Sequence, residues 1–97
     1  MAKVTVKFFA TIRSVTGVSK IELQAETIKE LLDKLKDRFG REFVETVFNE
    51  EGERLKRFFS CMINGKRIEL LDGYDTKLSD GDAVALFPPI GGGNKFE

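Results

Sequence analysis

Ile28, Leu31, Leu32, Leu35 and Phe39 recur at the three- and four-residue spacing of an α-helix and draw one apolar stripe along it. A single long amphipathic helix must bury that stripe on something, and the rest of the chain offers the face of a sheet. Thr27 and Glu30 match the Thr-x-x-Glu capping box, in which each side chain caps the other residue's backbone N–H, so the helix starts at Thr27. Gly40 is placed to end it. Lys29, Glu30, Asp33, Lys34, Lys36 and Asp37 fall largely off the stripe and form a solvated face.

The sheet is written in residues that alternate with period two. Lys3–Phe8 predicts a strand with Val4, Val6 and Phe8 inward, and Ser19–Leu23 a second with Ile21 and Leu23 inward. The two are expected to pair as an antiparallel hairpin. Phe9 falls out of phase, Ala10–Thr16 has no clear period, and Gly17 marks a turn. After the helix, Glu42–Asn49 reads as a short second helix carrying Phe43, Val44, Val47 and Phe48, followed by a polar loop over Glu50–Arg54. Phe59–Ile63 is a third strand. Asn64-Gly65 then signals a two-residue type I′ turn, which needs positive φ at both positions, and Lys66–Leu70 returns as a fourth strand. Asp72-Gly73 and Asp80-Gly81-Asp82 are turns. Ala83–Phe87 closes the series, with Val84 and Leu86 on one face and Ala85 and Phe87 on the other. The expected fold class is α+β: a mixed sheet rolled over one main helix, with Val4, Val6, Ile21, Leu31, Leu32, Leu35, Val84 and Leu86 in one core.

Composition narrows the chemistry. Sixteen basic and 16 acidic residues cancel, so no bulk charge favours nucleic acid or a membrane surface. With no histidine, a His-based triad or His metal site is excluded, and no metal site is expected. Cys61, the single cysteine, cannot form a disulfide within the chain and reads as a small strand residue rather than a nucleophile. No apolar run approaches the roughly 18 residues that cross a bilayer, and the N-terminus lacks the pattern of a signal peptide. A cytoplasmic protein is expected.

The C-terminal run Leu86-Phe87-Pro88-Pro89-Ile90-Gly91-Gly92-Gly93 carries the strongest functional signal. A strand ends in two prolines, which hold the chain extended, and then in residues without side chains. Such an arm can enter a narrow active site that a folded surface cannot, and it suggests that the working group is the protein's own C-terminal carboxylate. Asn94-Lys95-Phe96-Glu97 complicate this, because they put the Gly93 carbonyl in a peptide bond. The run is not a phosphate-binding loop: its spacing is wrong, no Ser or Thr follows the Lys, and no room remains for a helix. Phe9 and Phe87 lie out of phase with their strands' inward residues and are expected to form an apolar patch at the root of the arm. The alternative is that Ala10–Thr16 covers one of them.

Three motifs in this order resemble the β-grasp, or ubiquitin-like, fold, and within it the MoaD/ThiS group of sulfur carriers. They are Lys7-Phe8-Phe9-Ala10-Thr11-Ile12-Arg13, Ile63-Asn64-Gly65-Lys66, and the run from Leu78 through Asp80-Gly81-Asp82 and Pro88-Pro89 to Gly92-Gly93. The resemblance is strongest to the small subunit of molybdopterin synthase. It implies a β-grasp domain over residues 1–90 and a flexible glycine arm over 91–97 with a removable tail at 94–97.

The resemblance also implies chemistry. An E1-like adenylating enzyme activates the terminal glycine, here Gly93, with ATP that belongs to the partner; no cofactor is bound by this chain. Sulfur then replaces AMP to give a thiocarboxylate. The molybdopterin synthase large subunit uses it to build the dithiolene of the molybdenum cofactor, so the chain is a sulfur donor rather than an enzyme on its own. Gly91, Gly92, Phe9, Arg13, Phe87, Pro88 and Pro89 map onto partner-binding positions. The tail points to a processing metalloprotease as a further partner. Two other roles stay open on the same residues: a ubiquitin-like modifier joined through Gly93 to target lysines, and a sulfur carrier for tRNA thiolation. A third class, a plain interaction domain that has lost activation, also stays open.

Overall fold

A computed structural model of the protein describes residues 1–89. Five strands form one mixed sheet: β1 (Ala2–Phe8), β2 (Lys20–Ala25), β3 (Ser60–Ile63), β4 (Lys66–Arg67) and β5 (Ala83–Phe87), in the order β2-β1-β5-β3-β4. β1 and β5 run parallel at its centre, and every other pair is antiparallel. Three helices, α1 (Ala10–Thr16), α2 (Ile28–Phe39) and α3 (Arg41–Val47), complete the α+β β-grasp roll.

The two periodicities meet in the core. On the sheet side, Val4, Val6, Phe8, Cys61, Ile63, Val84 and Leu86 are buried. Ile28, Leu31, Leu32 and Leu35 of α2 are buried with them, and α3 adds Phe43 and Val47 with Phe48 just beyond it. Four phenylalanines knit α2 and α3 to β1: Phe8 meets Phe39 and Phe43 edge-on with centroids 5.5 and 6.4 Å apart, and Phe43 meets Phe48 at 5.8 Å. Of the expected core, Ile21 is only half-buried, because β2 is an edge strand and α2 covers it incompletely.

Three local expectations need correction. β1 and β2 do pair antiparallel, Ala2 with Ala25 through Lys7 with Lys20, but they are joined through α1 rather than by a tight hairpin turn. Ile12 explains the difference: it is fully buried, so the segment pays for its helix by filling the core. α1 is thus a helix beyond those expected, whereas α3 is the short second helix expected over Glu42–Asn49. The capping box is half formed. The Thr27 hydroxyl accepts the Glu30 N–H at 3.2 Å, but Glu30 Oε1 reaches one residue further back and accepts the Glu26 N–H at 2.6 Å. Finally, the fourth strand stops at Arg67. Ile68–Leu70 turns into a 3₁₀ helix that keeps Ile68 buried and swings Leu70 out to 77% exposure. The chain must leave the sheet there to carry Thr76 to the start of α2, where the Thr76 carbonyl accepts the Ile28 N–H at 3.0 Å.

The two turn motifs clamp the start of β5. Asn64 and Gly65 both have positive φ, 50° and 86°, as a type I′ turn requires. Asn64 does more than turn: its Oδ1 accepts the Ala83 N–H at 2.9 Å, and its Nδ2 donates to Asp82 Oδ1 at 3.0 Å. Asp82 Oδ2 accepts the Ser79 N–H at 2.8 Å, and Asp80 Oδ1 accepts the Lys3 N–H at 2.8 Å. Gly81, at φ 88°, lets its N–H reach the Lys3 carbonyl at 2.9 Å.

Two outcomes test this account. Leu35→Ala, at a fully buried position, should lower unfolding stability by about 2–5 kcal/mol in denaturant titration. A loss under about 0.5 kcal/mol, the range of surface substitutions, would contradict a single core. Asp82→Ala removes two side-chain bonds at once and should cost about 1–3 kcal/mol. Asn64→Gly, which keeps the turn but not the bonds, should reproduce part of that loss.

Candidate functional site

β5 leaves the sheet from its centre, not from an edge. Its last residue, Phe87, pairs with Ser60 of β3, and Leu86 pairs with Phe8 of β1. The chain beyond β5 therefore starts between Phe9 and α1 on one side and the segment preceding β3 on the other. Pro88 is half-buried and Pro89 exposed. Neither belongs to the strand, as expected of residues without an N–H for the ladder. Gly91, Gly92, Gly93 and the 94–97 tail, with the expected boundary at residue 90, lie outside the described residues.

Phe9 and Phe87 come together at this root. Their rings stack with centroids 4.5 Å apart and planes 11° apart. Phe9 remains 37% exposed and Phe87 half-buried, so each ring covers one face of the other and leaves the rest open. Phe9 is the N-cap of α1, and the next residue, Ala10, sits at φ 52°. A left-handed alanine costs about 1–2 kcal/mol, and strain of this kind is concentrated where a surface is used. Sequence patterns carry no signal for it. Arg13 is exposed on α1, and among the described residues it has no ion-pair partner.

The outer face of the sheet adds a feature that period-two reading of single strands could not reveal. One row of register partners runs Lys20, Lys7, Ala85, Met62, Arg67 across all five strands. Its middle is apolar and its ends are cationic. Lys7 and Lys20 stand directly opposite each other, an arrangement that costs stability in an isolated sheet. Among the described residues neither has an acidic partner. The Phe87 ring lies on this same face, next along β5 from Ala85.

Other chemistry is poorly provided for. Among the described residues no three His, Cys, Asp or Glu side chains converge as a metal ion would need. No described helix is long and apolar enough to cross a membrane. Cys61 is 1% exposed opposite Leu86, and burial, aided by the charge of Glu69, pushes its thiol up to about 12. The strand reading of Cys61 holds, because a protonated, enclosed thiol is a poor nucleophile.

Cys61 yields a prediction with a definite sign. Its folded-state value, about 12, exceeds its ordinary 9.0, so above pH 9 the native state retains a proton that the unfolded chain gives up. Stability should then fall between pH 9 and 12 more steeply in the native chain than in Cys61→Ala. Iodoacetamide should label Cys61 only after denaturant is added. Rapid labelling of the folded protein would contradict both statements.

Known proteins align with this geometry over nearly its whole length. The ThiS family matches residues 6–93. Small archaeal modifier protein 3 of Haloferax volcanii is 36% identical over 90 residues, covering 90% of this chain and 95% of that one. Among solved structures, small archaeal modifier protein 1 of Methanosarcina acetivorans superposes with a TM-score of 0.81 at 32% identity, covering 96% of this chain and 98% of its own. A Pyrococcus furiosus protein with a provisional assignment as subunit 1 of a molybdopterin converting factor gives a TM-score of 0.72 at 31% identity, covering 93% and 100%. The chain thus belongs to the ThiS family of ubiquitin-like sulfur carriers and modifiers.

Proposed function

We propose that this chain is a sulfur carrier that works through Gly93, and that its acceptor is a pterin precursor held by a molybdopterin synthase large subunit. The observation that carries the reading is where the family match stops: at Gly93, with Asn94 to Glu97 beyond it. Adenylation needs a free carboxylate oxygen to attack the α-phosphate of ATP and expel pyrophosphate. As long as Asn94 is attached, Gly93 has none. Cleavage after Gly93, by a processing protease such as a metalloprotease, exposes an α-carboxyl that is ionised above pH ~3.5 and so nucleophilic at neutral pH. A hydrosulfide equivalent then attacks the acyl carbon, AMP leaves, and Gly93 carries a thiocarboxylate. ATP and the adenylating residues belong to the E1-like partner, and the residues that act on the pterin belong to the large subunit.

The described residues suit the positioning half of this task. The stacked Phe9–Phe87 pair and the apolar middle of the Lys20–Arg67 row lie beside the start of the arm. Partners that present an apolar centre flanked by carboxylates would fit this face, with Lys7, Lys20, Arg13 and Arg67 as counter-charges. Pro88 and Pro89 start the arm, and Gly91 to Gly93, lacking Cβ atoms, can be threaded into a narrow channel.

A second reading has a specific observation in its favour: the 36% identity with small archaeal modifier protein 3. On that reading the same Gly93 adenylate is passed on to a target lysine, and the product is an isopeptide rather than a thiocarboxylate.

The experiment is ATP–pyrophosphate exchange with the cognate E1-like enzyme, followed by intact mass. A chain ending at Gly93 should support exchange and the 97-residue chain should not. Equal exchange by both, with no cleavage, would rule out the precursor scheme. In the shorter chain Gly93→Ala should lose most of the rate, because a methyl group disturbs a constrained approach. Phe87→Ala should raise the apparent KM for the carrier while leaving its Tm little changed. Recovery of thiocarboxylate-ended protein from cells supports the carrier, and of lysine conjugates the modifier.

A further inference from the structure

The segment that leads into β3 forms a second surface feature that the Gly93 chemistry does not use. Phe58 is 72% exposed and sits at φ 71°, a conformation that a bulky aromatic residue rarely adopts. The turn is held by the Phe59 N–H donating to the Lys56 carbonyl at 3.1 Å, and by the Lys56 N–H donating to the Val47 carbonyl at 2.8 Å. The fold thus spends strain to hold an apolar ring in water, which is unexpected unless the ring is used.

The surroundings of Phe58 say what would meet it. An open cleft of about 350 Å³ runs between this segment and Tyr74. Its lining includes Arg54, Lys56 and Arg57 against one carboxylate, Glu69. Glu69 is itself engaged by Arg67 at 3.7 Å, so the cleft keeps a surplus of positive charge. The Arg57 guanidinium lies 5.1 Å from the centroid of the Phe58 ring, and that of Arg54 lies 5.6 Å from the Tyr74 ring. Tyr74 is fixed in turn, its hydroxyl accepting the Leu55 N–H at 3.0 Å. Stacking in this way orients a guanidinium while leaving its N–H fork for a carboxylate. Among the described residues neither Arg54 nor Arg57 has an ion-pair partner.

We propose that this cleft docks an acidic segment of a protein partner, with Arg54 and Arg57 taking its carboxylates and Phe58 an apolar side chain between them. Charge complementarity selects an anionic occupant. Protein is favoured over nucleic acid because each arginine already covers one face of a ring, leaving fewer faces for stacked bases while its N–H fork stays free for a carboxylate. The site stands whether or not Gly93 is activated, since none of its residues belongs to the arm. By the register of Ser60 with Phe87 it lies at the same end of the sheet as the arm, on the β3 side, whereas Phe9 and Arg13 lie on the β1 side.

The test uses the full chain, labelled with ¹⁵N and titrated with the synthetic peptide Glu-Asp-Leu-Asp-Glu, blocked at both ends. Saturable shifts should appear at the amides of residues 54–59 and Tyr74, and binding should weaken as salt rises. Arg57→Glu and Phe58→Gly should each weaken it roughly tenfold or more. Phe58→Gly should fold at least as stably as the native chain, since glycine accepts φ 71° without strain. Lys34→Glu makes the same charge change beside the far edge strand β2, where Lys34 Nζ donates to the Gln24 carbonyl at 2.6 Å, and should leave binding unaltered. Replacing the peptide's leucine with serine should also weaken it. The proposal is overturned if no saturable shifts occur by about 1 mM peptide, the weak end of specific binding. It is also overturned if Lys34→Glu weakens binding as much as Arg57→Glu, or if a uridine oligonucleotide binds the same amides more tightly than the peptide at equal salt.

Discussion

The parallel pairing of β1 with β5 is the constraint on which the rest of the structure depends. It joins the two ends of the described chain, Val6 to Val84 and Phe8 to Leu86, and all four of these side chains are buried. A contact so distant in sequence closes a long loop, and its entropic cost has to be met by everything that forms with it. The turn at Asp80-Gly81-Asp82 supplies a local means. Asp80 and Gly81 bond to Lys3, and Asp82 bonds to Asn64, so one short turn ties the start of β5 to β1 and to the β3–β4 hairpin together. These bonds fix the register of β5 at its start, and the far end of the strand follows from it.

That far end is where the chemistry we propose would begin. Because β5 is central, the arm starts from the best-supported strand of the molecule, flanked on both sides by backbone pairing. Pro88 therefore follows a strand held on both sides, beside the Phe9–Phe87 stack. The same pairing lays Lys7, Ala85, Met62 and Arg67 side by side on the outer face, so the strand that leads to Pro88 also builds the surface beside it.

Much of this was legible in the residues. The stripe of Ile28, Leu31, Leu32 and Leu35 and the alternation of Val4, Val6 and Phe8 locate the core correctly, because burial of an apolar face forces a period on each element. The Asn64-Gly65 turn follows from its demand for positive φ. Phe9 and Phe87 stand out as residues out of phase. α1 was not legible: Ala10–Thr16 contributes one fully buried side chain, Ile12, too little for a period. The 3₁₀ turn at Ile68–Leu70 was hidden for the opposite reason, since Lys66–Leu70 alternates as a strand would, and only the need to reach α2 diverts it.

By itself, the sequence determined which faces are apolar, where the turns fall, and that the chain's strongest chemical signal is a glycine run ending at Gly93. These are properties of neighbouring residues, and short-range sterics and periodicity suffice to state them. Tertiary structure alone decided what lies beside what. It brought Phe9 and Phe87 to 4.5 Å, set Lys7 opposite Lys20, and placed Arg57 over Phe58 and Arg54 over Tyr74. Each of these depends on strand order, register or the path of a loop, which are fixed by packing across the whole molecule and leave no mark at any one position.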